Sequence, residues 1–142
     1  MKTKILLVDD EKDFVDALAT RLEIRNFEVS IAYSGESALG IFEKVTIDIV
    51  VLDVQMPGLS GVETLLRIKE MAPLAQVIML TGNATVENAI KGMKNGAYDF
   101  LMKPIDIDTF EEKLNEALKI KKEHDDRIRK AEVDNILNRH GW

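Results

Sequence analysis

Three short apolar runs punctuate the chain: Ile5-Leu6-Leu7-Val8, Ile49-Val50-Val51-Leu52 and Val77-Ile78-Met79-Leu80. Each is unbroken, rich in branched aliphatic residues and bounded by polar or turn residues. Unbroken apolar runs of this length predict strands covered on both faces, as in a parallel sheet. Glu28-Val29-Ser30-Ile31-Ala32 alternates polar and apolar positions and predicts an edge strand. Asp99-Phe100-Leu101-Met102 is short, stands just before a proline, and predicts another edge. Helical spacing fills the gaps. Phe14, Leu18 and Leu22 share a face, and Leu39, Phe42 and Val45 form a weaker stripe. Val62, Leu65, Leu66 and Lys69 follow Gly61. Val86, Ala89, Ile90 and Met93 run up to Asn95-Gly96, a helix terminator. Phe110, Leu114, Ala117 and Leu118 make the last stripe.

Strict alternation of five strands and five helices predicts an α/β fold, with right-handed crossovers and helices on both faces of a parallel sheet. The first, third and fourth strands read as central, the second and fifth as edges. The order 2-1-3-4-5 satisfies that burial pattern, giving a doubly wound, flavodoxin-like (βα)5 sheet. From Lys119 onward charge is dense, and no Pro or Gly intervenes before Gly141. Residues 1–120 are therefore expected to form the domain. Residues 121–142 are expected to be a charged, helical extension or linker that prolongs the last helix and then frays.

In an open parallel sheet, ligands bind beyond the carboxyl ends of the strands. Asp9 and Asp10 follow the first run, Asp53 the third strand, Thr81 the fourth and Lys103 the fifth. Taken singly, each has a structural explanation. Asp10 would cap a helix starting near Glu11, Asp53 and Thr81 would belong to turns, and Lys103 would be solvated. Their coincidence at successive strand ends instead points to one site. Three carboxylates together repel one another, and a hard divalent cation relieves that repulsion. The cation, Mg²⁺ with Mn²⁺ as the alternative, would also screen Asp53 from an anionic phosphoryl group. Asp53 would then act as nucleophile and form an acyl phosphate. Lys103 and Thr81 would each contact a phosphoryl oxygen.

Composition narrows the setting. With no cysteine, there is neither a disulfide framework nor a thiolate metal site. Hydrophobic residues make up 46% and charged residues 31%, a globular balance. No apolar run approaches a membrane span and no secretory leader is evident, so a cytoplasmic protein is expected. The net charge of −6 is uneven: residues 119–142 contribute +2 and the rest −8. An acidic body disfavours direct nucleic-acid binding.

These residues carry a family resemblance. The chain resembles the receiver domains of two-component response regulators in Lys4-Ile5-Leu6-Leu7-Val8-Asp9-Asp10-Glu11, in Asp53-Val54-Gln55-Met56-Pro57-Gly58-Leu59-Ser60-Gly61, in Thr81-Gly82, and in Gly96 through Pro104. The likeness covers roughly residues 3–120, and Thr85 to Pro104 is similar to receivers of the NtrC type. The resemblance implies a phosphorylation-dependent switch, not an enzyme acting on a separate substrate. It implies that Asp53 is the phosphoacceptor. Asp10, Asp53 and the backbone carbonyl of Gln55 would bind Mg²⁺, with Asp9 acting through water. Lys103 would contact the phosphoryl group, and the bond before Pro104 is often cis in the family. Thr81 and Phe100 would be the switch residues, and Gln55 and Asn83 would flank the acyl phosphate. The implied partners are a sensor histidine kinase or phosphotransfer protein, together with a downstream protein or output domain. A homodimer through the last two helices and fifth strand is a further expectation.

Four rival readings differ in class. A haloacid-dehalogenase-like phosphatase or phosphotransferase needs Asp-x-Asp-x-Thr after the first strand, whereas Asp9 is followed by Glu11 and Asp13. A flavodoxin-like FMN carrier needs a hydroxyl- and glycine-rich loop where Asp9-Asp10-Glu11 stands. No G-x-x-x-x-G-K-[ST] is present for a nucleoside-triphosphate switch. An interaction module that is never phosphorylated would keep its full signal response as Asp53→Asn.

Overall fold

The structure is a computed structural model that describes every residue except Met1, Gln55, Pro57, 83–85 and 140–142, together with the side chains of Thr81, Val86, Asn88, Ala89 and Arg139. Five strands alternate with five helices. The strands are β1 (Lys4–Val8), β2 (Glu28–Ala32), β3 (Ile49–Asp53), β4 (Gln76–Thr81) and β5 (Asp99–Met102). The helices are α1 (Lys12–Ile24), α2 (Gly35–Lys44), α3 (Gly61–Met71), α4 (Val86–Lys94) and α5 (Ile107–Arg139). All pairings are parallel and the strand order is β2-β1-β3-β4-β5, as the alternation predicts.

Strand periodicity explains why the central runs are unbroken. Successive side chains point to opposite faces. Ile5, Leu7, Ile49, Val51, Ile78 and Leu80 therefore pack with α1 and α5 residues such as Leu18, Leu22, Phe110 and Leu114. Leu6, Val8, Val50, Leu52, Val77 and Met79 pack on the other face with Ala38, Leu65 and Ile68. The described edge-strand side chains are mostly half-exposed.

Helix boundaries follow local chemistry. Ser34 and Ser60 each accept a hydrogen bond from the amide three residues on, starting α2 and α3. Gly96, at φ +102°, follows α4. Asn26, at φ +71°, turns the chain from α1 into β2, where an asparagine tolerates the left-handed region.

Several apolar stripes differ from the sequence reading. Val45 lies past α2 and is exposed, so Ala38 anchors that helix instead. Leu66 is exposed, while Thr64 and Ile68 face the core. Ile90 and Met93 on α4 are about half exposed, as is Met102 at the end of β5. The last helix is 33 residues long and unbroken to Arg139; the absence of Pro and Gly predicts the extension, but the expected fraying does not occur within the described residues.

Candidate phosphoryl and cation site

Register gathers the polar strand ends on one rim. Val8 pairs with Leu52, which sets Asp9 level with Asp53. Asp53 pairs with Leu80 and Thr81 with Met102, so Thr81 and Lys103 stand on the same edge. Asp9 and Asp53 are buried, at 4% and 5% exposure, while Asp10 is exposed. Each of the three carboxylates offers one oxygen, and these oxygens all lie within 4.8 Å of one another.

The local backbone holds Asp9 firmly. Its amide donates to Ala32 O at 3.1 Å, and its Oδ1 accepts from the Glu11 amide at 2.9 Å. The α1 N-terminus therefore has no side-chain cap from Glu11 and does not employ Asp10 as one. The capping explanation for Asp10 is not what the structure adopts, and Asp10 stays available to the cluster.

Lys103 enters from β5. Its ammonium lies 2.7 Å from Asp9 Oδ2 and 2.8 Å from Glu11 Oε1, and 4.3 Å from the centre of the Phe14 ring. Burial pushes its pKa down, but hydrogen bonds to Asp9 and Glu11 and the field of Asp9 and Asp53 outweigh burial and leave it raised. Lys103 is thus a charged ammonium at neutral pH. The Lys103–Pro104 bond is cis.

Three expectations lie outside the described residues: the Gln55 carbonyl, the Thr81 hydroxyl and Asn83. The Phe100 ring is half-buried and packs on the core face shared with α2 and α3.

Three residues escaped the sequence reading. Glu11 and Phe14 complete the surroundings of the Lys103 ammonium. Glu36, on α2, accepts from the Leu59 amide at 2.9 Å and steadies the loop after Asp53. Glu11 stood in the acidic triplet and so carried a signal. Glu36 is 23 positions away from its partner and carried none. Gly61 has a structural reason as well. A Cβ there would run into the Asp53 carbonyl and come within 2.6 Å of Val54 Cα.

The donor set fits a hard divalent cation. Every ligand atom offered is a carboxylate oxygen, the preference of Mg²⁺, and three clustered carboxylates need a compensating charge. The Lys103 ammonium already serves Asp9 and Glu11.

The response regulator receiver domain family matches residues 5–115. Transcriptional regulatory protein ZraR of Salmonella typhimurium is 37% identical over 117 residues, covering 82% of this chain and 26% of that protein. The chain therefore spans about a quarter of the length of such curated relatives. A response regulator receiver domain protein of Clostridium thermocellum superposes with a TM-score of 0.80 at 39% identity, covering 84% of this chain and 97% of that one. The receiver domain of NtrX from Brucella abortus gives 0.75 at 35%, covering 81% and 98%. The dehalogenase-like alternative finds no support: the family match runs through the whole sheet, and the required Asp-x-Asp-x-Thr is missing.

Proposed function

The chain belongs to the response regulator receiver domain family, and from that premise we propose that Asp53 is its phosphoacceptor, working with a bound Mg²⁺. A receiver domain is a phosphorylation-dependent signalling switch and not an enzyme for an external substrate. The likeness to NtrC-type receivers accords with ZraR among the relatives. The observation that carries the proposal is the gathering of Asp9, Asp10 and Asp53 oxygens within 4.8 Å beside the Lys103 ammonium.

Asp10, Asp53 and the Gln55 carbonyl would hold the cation, with Asp9 acting through a water. When bound, it neutralises carboxylate charge and polarises phosphoryl oxygens. Asp53, fixed at the end of β3, attacks phosphorus as the bond to the donor's leaving group breaks, and an acyl phosphate forms. Lys103 transfers its ammonium from carboxylate partners to a phosphoryl oxygen, and the Thr81 hydroxyl donates to another. The chemistry asked of the protein is mainly positioning and electrostatic stabilisation. Water later cleaves the acyl phosphate, and the family resemblance implies that Gln55 and Asn83 would flank its approach.

The donor is a sensor histidine kinase, a phosphotransfer protein or a small phosphodonor. The output is a change at α4, β5 and α5 that a partner or an attached output domain reads. Thr81 and Phe100 carry the change as a shift between two pre-existing conformations. The exposed Ile90, Met93 and Met102 at the α4–β5 edge support a contact surface there, with a homodimer as one use. No helix among the described residues is long and apolar enough to cross a membrane, and the domain is proposed to work in the cytoplasm.

The test is incubation with acetyl phosphate and Mg²⁺ followed by intact-mass measurement. One labile phosphoryl adduct is expected, abolished by EDTA and absent in Asp53→Asn. An adduct of unchanged extent in Asp53→Asn removes Asp53 from this role.

A further inference from the structure

The Lys103 ammonium has a specific resting place. It lies between Asp9 Oδ2 and Glu11 Oε1, at 2.7 and 2.8 Å, with the Phe14 ring at 4.3 Å. The Lys103 side chain is only 11% exposed, whereas that of Glu11 is 62% exposed. Glu11 is not one of the three clustered carboxylates that can share a cation among the described residues. It makes no side-chain cap for α1 either. Among the described residues, its polar side-chain partner is Lys103.

We propose that Glu11 is a positioning residue that, with Phe14 beneath, holds Lys103 in a parked position on the α1 side of the site. This rests on the assignment of Asp53 and Lys103 above. Two consequences follow from charge. With the ammonium drawn toward α1, the Asp9–Asp10–Asp53 cluster keeps more of its negative charge for an incoming cation. Without Glu11, the ammonium keeps Asp9, which it already meets at 2.7 Å, swings toward Asp53 and competes with that cation. Once a cation draws on Asp9, Glu11 becomes the carboxylate retaining Lys103. The ammonium must then leave Glu11 to reach a phosphoryl oxygen. Glu11 therefore favours cation loading and slows delivery of Lys103.

The test is a pair of variants, Glu11→Gln and Glu11→Asp, with folding confirmed by amide NMR. Mg²⁺ affinity is read from an amide-shift titration without phosphodonor, and phosphorylation rate from intact mass with acetyl phosphate at saturating Mg²⁺. In Glu11→Gln, Mg²⁺ binding is expected to weaken and the rate to rise, each by about two- to fivefold, the range an exposed ion pair commands. Glu11→Asp keeps the charge but not the reach, so its rate is expected to rise as well. A Glu11→Gln protein with unchanged or tighter Mg²⁺ binding, or with an unchanged or slower rate, overturns the proposal. A Glu11→Asp rate equal to that of the unaltered protein overturns it too, since charge alone would then explain Glu11. If the unaltered protein takes no phosphoryl group, the Asp53 assignment fails instead, and the Mg²⁺ titration alone judges the hold on Lys103.

Discussion

At the scale of single residues, the site depends on close packing as much as on charge. Gly61 begins α3 with its amide on Val54 O at 3.1 Å, and a Cβ would collide with the backbone of Asp53 and Val54. Neither of those backbone atoms can yield without moving Asp53. Gly61→Ala is therefore expected to destabilise by about 1–3 kcal/mol, the usual cost of overpacking, in urea denaturation. It should also weaken Mg²⁺ binding, because it displaces Asp53. Phe110 offers the converse case, a ring fully buried between α5 and the sheet. Phe110→Ala leaves a cavity and should cost about 3–5 kcal/mol in the same measurement.

At the scale of elements, two carboxylates fix where segments begin. Asp106 stands before α5 and accepts from the Thr109 hydroxyl at 2.8 Å and the Thr109 amide at 3.3 Å. The Thr109 hydroxyl, then its amide, hold the Asp106 carboxyl below its ordinary value of 3.8. A carboxyl lowered on folding contributes stability that is fully present above its unfolded pKa. That contribution fades as pH falls through the folded value. Stability measured from about pH 5 down to about pH 2 should decline less steeply in Asp106→Asn, since asparagine caps without needing a charge. Glu36 plays a related part for the loop after β3. Amides of Glu36 and Leu59 hold its carboxyl below the usual range. Glu36→Ala is expected to speed hydrogen exchange at the Leu59 amide, with exchange in β3 unchanged.

At the scale of the whole molecule, α5 joins the domain to its extension. Lys121 reaches Asp125 at 2.8 Å and Asp48 at 3.4 Å, and Asp48 accepts from the Lys4 amide at 2.9 Å. This tie secures α5 to the starts of β1 and β3. Beyond Asp125 every described side chain is exposed, Ile128, Val133, Ile136 and Leu137 included. We propose that residues 1–120 suffice for the receiver and that 121–142 act as an extension or linker. A chain ending at residue 120 should still take one phosphoryl group by intact mass. It should lose about 0.5–1 kcal/mol of stability with the Lys121 tie, together with helical ellipticity.

The sheet and the rim were legible because their causes are local. An unbroken apolar run needs both faces covered, and a polar residue right after it must stand at a strand end. That reasoning found Asp9, Asp10, Asp53 and Lys103, and a stretch of 33 residues without Pro or Gly foretold the long last helix. What the periodicity could not decide was which side of a stripe meets the sheet. Leu66, Ile90 and Met93 have helical spacing yet face water, because helix orientation is set by packing against neighbours distant in sequence, and Val45 is exposed because α2 ends before it. The partners of Lys103 were open for the same reason. Glu11 is 92 positions from it, and only the β1–β3–β4–β5 register brings the two together. Chain-local chemistry determined which groups reach the rim, and tertiary packing decided which of them touch.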